Sequence, residues 1–137
     1  MKIIFDTNVL ISAFVFKGFS QTVYDFCVIN YTLFISEWIL EKLEEKLRVK
    51  FEIPEDKIIN TLYLVKEKSA IEQPLIPVPN ICRDEDDNNI LQLADSISAN
   101  FIITGDKDLL VFKKYKSTEI ITPREFYERF IDKKKFN

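Results

Sequence analysis

Four short runs, "IIF" (3–5), "TLFIS" (32–36), "FIIT" (101–104) and "EIIT" (119–122), are almost wholly apolar, and helix-patterned segments separate them. A strand with no polar face has no side to give to water, so it belongs inside a sheet covered above and below. Strands of this kind alternating with helices predict an α/β protein with a central parallel sheet. Ligands of such sheets bind beyond the carboxyl ends of the strands, near the point where strand order reverses.

Caps and apolar periodicity mark the helices. One is expected after Ser20, capped by it, with Val23, Phe26 and Cys27 on one face. Ser36 caps a longer one carrying Ile39, Leu40, Leu43 and Leu47, and Pro54-Glu55-Asp56 opens another with Ile58, Ile59, Leu62 and Val65. A further helix is expected from about Asp87 to Ser98 on Ile90, Leu91, Leu93, Ala94 and Ile97, and a short turn runs through Leu109 and Leu110. Thr122-Pro123 sets a cap and an N1 proline ahead of the last helix, whereas the three prolines of "QPLIPVPN" (73–80) predict an extended connection. The 137 residues suggest one domain over 1–131 and a flexible basic tail over 132–137.

Composition narrows the chemistry. There is no histidine, hence no imidazole to serve as general base, triad member or zinc ligand. Hydrolysis by this chain would have to be built from carboxylates, with metal-bound water as the natural nucleophile. A net charge of −3 argues against a broadly basic nucleic-acid surface, though not against a local basic groove. Cys27 and Cys82 form no metal or disulfide motif, no signal peptide is legible, and no apolar run reaches the ~18 residues of a membrane span. A cytoplasmic protein without a membrane partner is the expectation.

Acidic residues fall at three places. Asp6 follows the first strand, "RDEDDNN" (83–89) precedes an apolar-periodic helix, and "TGDKD" (104–108) follows "FIIT". Asp6 and Asp106 are thus aimed at one edge of the sheet from distant parts of the chain, and Asp87 can reach the same edge. Each cluster also has a plain reading as a turn or helix cap, acids at a helix N-terminus being stabilising by about 0.3–1 kcal/mol each. Asp84, Glu85 and Asp86 fit that reading, and Asp108 would cap the turn after Gly105. Gathered together, however, the carboxylates repel unless a cation compensates, and an all-oxygen set suits Mg²⁺ or Mn²⁺.

"IIFDTNVLISA", "CRDEDDNNILQLA", "FIITGDKDLL" and "ITPREF", in that order along the chain, resemble the PIN-domain ribonucleases, most of all the branch described as toxins of toxin–antitoxin pairs (VapC-like). The resemblance implies a three-layer α/β/α sandwich, Mg²⁺- or Mn²⁺-dependent cleavage of RNA, homodimerisation and an antitoxin partner. It assigns the metal-site carboxylates to Asp6, Asp87 and Asp106, an accessory catalytic one to Asp108, and supporting polar roles to Thr7, Asn8 and Thr104. One position departs. Where the family usually carries an acid on the helix after the second strand, "ISEWILEKL" places Lys42. Glu41, Glu44 and Glu45 are near it in sequence, but on other faces of the helix. Lys42 could contact a phosphate or weaken metal binding, so an inactive PIN fold that binds RNA or a protein is the alternative. "DTN" does not fit the "DxDxT" of haloacid-dehalogenase-like phosphatases, and no glutamate follows the first strand as a Toprim-type site would want. Arg83 and Lys107, beside the acids, are candidates to steer an RNA backbone.

Overall fold

A computed structural model describes residues 1–132. The basic tail expected over 132–137 lies, from Lys133 onward, outside the described residues. A six-stranded sheet has the order β3-β2-β1-β4-β6-β5. Its strands are β1 (Lys2–Phe5), β2 (Thr32–Ile35), β3 (Ser69–Ile71), β4 (Phe101–Ile103), β5 (Lys114–Tyr115) and β6 (Thr118–Ile121). The first four and β6 run parallel, and only β5 is antiparallel, as a short hairpin edge on β6. The fold is the expected three-layer α/β/α sandwich, with an antiparallel edge added to its central parallel sheet.

Strand order reverses beside β1: β2 and β3 follow on one side, β4 and β6 on the other. Ile3, Ile4 and Phe5 pair with Phe101, Ile102 and Ile103, so β1 and β4 end level with one another. Ile3, Ile4 and Phe5 of β1 and all of β4 are buried, as required of strands covered on both faces. Asp6 N donates to Ile103 O at 3.0 Å and Thr104 N to Ile121 O at 3.0 Å, which carries the pairing to the first polar residue of each strand end.

The helices are α1 (Thr7–Ile11), α2 (Phe19–Asn30), α3 (Glu37–Glu45), α4 (Glu55–Lys68), α5 (Glu85–Ile97), α6 (Lys107–Leu110) and α7 (Pro123–Phe126). Wider π-helical turns extend α1 over Ser12–Phe16, α3 over Lys46–Lys50 and α7 over Tyr127–Ile131. Helix α3 packs against α1, α4 and α5, and α2 packs against α7. The Ser36 hydroxyl accepts from Ile39 N, and the expected core stripe of Ile39, Leu40, Leu43 and Leu47 is buried. Thr122 caps α7 through Glu125 N, with Pro123 in the first turn. Phe126 is fully buried, with its ring against Phe26, Tyr31, Phe101 and Phe130.

Some local expectations are corrected. Ser20 does not cap α2. The helix starts two residues earlier, after Gly18, whose φ of 72° turns the chain out of the preceding π-helical turn. Ile59 is exposed; the buried stripe of α4 runs through Ile58, Thr61 and Val65, at the spacing of one helical face. Helix α5 begins at Glu85 with Asp84 as its cap, two residues before the expected start. Strands β3 and β5 carry no apolar run and were not legible; both are short sheet edges, where burial demands little of the sequence.

Candidate metal centre

The site forms where three helices begin beside two strand ends. Asp6 ends β1 and caps α1, with Oδ1 accepting from Asn8 N at 3.3 Å. Asp84 caps α5 by accepting from Asp86 N at 2.9 Å. Asp106 caps α6 by accepting from Asp108 N at 2.9 Å, so the cap after Gly105 is Asp106 and not Asp108. A short acceptor side chain just ahead of a helix satisfies a free N–H there, which is why each acid sits at such a position. Capping and convergence coincide: Asp6, Asp84, Asp86, Asp87 and Asp106 line one cavity of about 60 Å³, together with Thr7, Asn8, Lys42 and Lys46.

Asp6 is held from several sides. Its Oδ2 accepts the Thr104 hydroxyl at 2.6 Å and its Oδ1 the Thr7 hydroxyl at 3.3 Å. Thr104 is completely buried, and its oxygen also accepts the backbone N–H of Asp106 at 2.9 Å. Thr7, Asn8 and Thr104, the three polar residues singled out in the sequence, therefore all bond to Asp6.

Asp87 is different. It is buried in the first turn of α5, and its Oδ2 has no hydrogen-bond partner among the described residues. Burial, then the neighbouring Asp106, then Asp84 and Asp6 push its carboxyl up to about 8. Carboxylate oxygens of Asp87, Asp106 and Asp108 all lie within 4.8 Å of one another. Asp6, the third acid of the expected metal set, is outside that closest trio but on the wall of the same cavity. Asp108 also pairs with Arg83 at 2.9 Å. Repulsion of this size is relieved by a proton or by a cation, and an orphaned buried oxygen beside two further carboxylates suits a hard divalent ion. The donor set thus fits Mg²⁺ or Mn²⁺.

Helix α3 contributes cations to the cavity. Lys42 Nζ lies 3.9 Å from Asp86 and 3.5 Å from Glu45. Glu44 pairs instead with Arg48, and Glu41 is exposed and absent from the cavity wall. Two residues were missed in the sequence. Lys46 Nζ donates to the Thr7 hydroxyl at 2.8 Å; its spacing of four from Lys42 on one helix face was the available signal. Buried Asn88 accepts from Ile81 N at 3.2 Å and Cys82 N at 2.8 Å and donates to Cys82 O at 3.2 Å, pinning the loop that leads into Asp87. Nothing in "DDNN" distinguishes Asn88 from Asn89, since only the packing buries one and leaves the other half-buried.

The cavity adjoins a more open cleft of about 670 Å³, lined by Asn8, Ser12, Ser20, Asp84, Asp106 and Lys107 among others. Both cysteines are free thiols. Among the described residues no helix is long and apolar enough to cross a membrane.

Residues 2–108 match the PIN-domain family model. An uncharacterised protein of Methanocaldococcus jannaschii is 36% identical across 95% of this chain and 92% of its own length. The structure of VapBC2 from Rickettsia felis bound to a DNA fragment from their promoter superposes with a TM-score of 0.65. It is 14% identical, over 89% of this chain and 98% of that one.

Proposed function

The chain belongs to the PIN-domain family, and from that premise we propose that it is a Mg²⁺- or Mn²⁺-dependent endoribonuclease, the toxin of a toxin–antitoxin pair. PIN domains are generally nucleases. The observation that carries the reading is the unpartnered, buried Oδ2 of Asp87 facing a cavity walled by four other aspartates. Asp87 and Asp106, with Asp6 beside them, would hold the ion. When bound, such an ion lowers the pKa of water and offsets charge on phosphodiester oxygens. The chain's own residues fix the geometry: Thr104 joins Asp6 to Asp106, Thr7 and Asn8 orient Asp6, and Asn88 seats Asp87. A cavity of about 60 Å³ is too small for a nucleotide, so RNA would lie in the adjoining cleft and present one phosphate to the acids. Exposed Lys107 lines that cleft, and exposed Arg83 pairs with Asp108, which lines it too. The likeness to VapBC2 supports an antitoxin partner. One domain over 1–131, a homodimer and a cytosolic location belong to the same reading.

The test is cleavage of a mixed single-stranded RNA pool with Mn²⁺ by wild type and Asp6→Asn. Cutting that disappears with EDTA and in the variant is expected. Lys42 within the cavity favours a second reading, a PIN fold that binds RNA or a protein without cutting. Mn²⁺ that neither binds nor supports cleavage would select it.

A further inference from the structure

The cavity that would take an ion already contains two ammonium groups. Lys42 and Lys46 are one helical turn apart on the helix that starts with α3, so both reach the same wall. Lys46 bonds to Thr7, which bonds in turn to Asp6; Lys42 lies beside Asp86 and over the Trp38 ring, 5.4 Å from its centroid. The cavity is therefore divided. Asp6 and Asp86 lie on the side served by lysines. Asp87 and Asp106 lie on the other and form, with Asp108 of the adjoining cleft, the one acidic trio among the described residues whose oxygens approach within 4.8 Å. The unpartnered oxygen, Asp87 Oδ2, is on this second side. A volume of about 60 Å³ leaves room for an ion and a few waters. A second dication on the lysine side would meet two fixed positive charges.

We propose that the chain binds a single divalent cation, on the Asp87–Asp106 side, and that Lys42 and Lys46 supply the second positive pole by contacting the non-bridging oxygens of the RNA phosphate. Lysine suits this role as a compact charge with three donors and no need of planar geometry. The inference rests on the nuclease reading above. It adds that the ion count is one and that helix α3 reads the phosphate.

Two measurements on the full chain test it. Calorimetric titration with Mn²⁺ should count one ion per wild-type chain, none in Asp87→Asn, and a second in Lys42→Glu/Lys46→Gln, which exchanges an ammonium for an acid. Two ions in wild type would overturn the inference and leave the nuclease reading intact; no ion at all would overturn both. Fluorescence anisotropy of a labelled single-stranded RNA in EDTA, across KCl concentrations, supplies the other arm. Lys42→Ala/Lys46→Gln should lower the salt slope by about 1.4, for two contacts at ~0.7 each, and Lys46→Arg should keep the wild-type slope. Glutamine at 46 can still donate to Thr7, so a melting temperature near that of wild type checks the fold. Lys57→Ala/Lys68→Ala, outside the cavity, should leave the slope unchanged. An unaltered slope in the Lys42/Lys46 variant sinks the proposal.

Discussion

Thr104 donates its hydroxyl to Asp6 Oδ2 at 2.6 Å, linking the ends of β4 and β1 across the sheet. The Thr104 hydroxyl oxygen in turn accepts the N–H of Asp106, so one buried side chain sets the distance between two acids ninety-eight and two residues away. Valine at 104 would keep the shape but leave a buried carboxylate oxygen and an N–H unpaired. A bond to a charged group is worth about 1.5–3 kcal/mol. Thr104→Val should therefore lose roughly 2–4 kcal/mol in urea unfolding and most Mn²⁺ affinity, while Thr104→Ser should stay close to wild type. A Thr104→Val protein as stable as wild type would refute the linkage.

Asp87 is destabilising while it is charged and unaccompanied. Asp87→Asn should raise the melting temperature of the metal-free protein and abolish its response to Mn²⁺. In wild type, Mn²⁺ at 100 times its Kd should add about 2.7 kcal/mol. For a chain of this size that is roughly 10 °C in a thermal melt. Equal Mn²⁺ responses from the two proteins would remove Asp87 from the metal site.

The raised Asp87 carboxyl also fixes a pH dependence. Its folded-state value of about 8 lies above the ordinary 3.8, so the protonated form favours folding. That contribution is complete below about pH 4 and is lost as pH rises through about 8. Burial and Asp84 raise Asp86 as well, in the same direction. Metal-free protein should therefore melt progressively lower between pH 5 and pH 9. Saturating Mn²⁺, by replacing the proton, should flatten the slope over the upper part of that window. A metal-free melting temperature that climbs with pH would contradict the burial of this group.

Phe126 tests the core independently of the site. Its ring is buried against four other aromatic rings, and truncation of such a residue costs about 3–5 kcal/mol. Phe126→Ala should lower the unfolding free energy measured in urea by that amount while the folded fraction keeps wild-type Mn²⁺ affinity. Loss of metal affinity in step with stability would mean that α7 and the acidic cavity are coupled.

Much of this protein is decided locally, and local features are what a sequence displays. Apolar runs such as "IIF" and "FIIT" can only be buried strands, and the residue after each is the first that can be polar; Asp6 and the Thr104–Asp106 segment had to stand at one sheet edge. Ser36 and Thr122 could be assigned as caps because a cap acts within three residues of itself. Edges and encounters were not legible in this way. Strands β3 and β5 form because a sheet margin presents free backbone groups, not because their own residues demand it. Asp108 turns to Arg83, Lys46 bonds to Thr7, and Lys42 approaches Asp86 only once α3 packs against α1 and α5. The sequence by itself determined which carboxylates reach the strand ends. Tertiary packing alone decided which oxygen stays unpartnered and which lysines share its cavity, because burial and charge proximity depend on segments that are far apart in the chain.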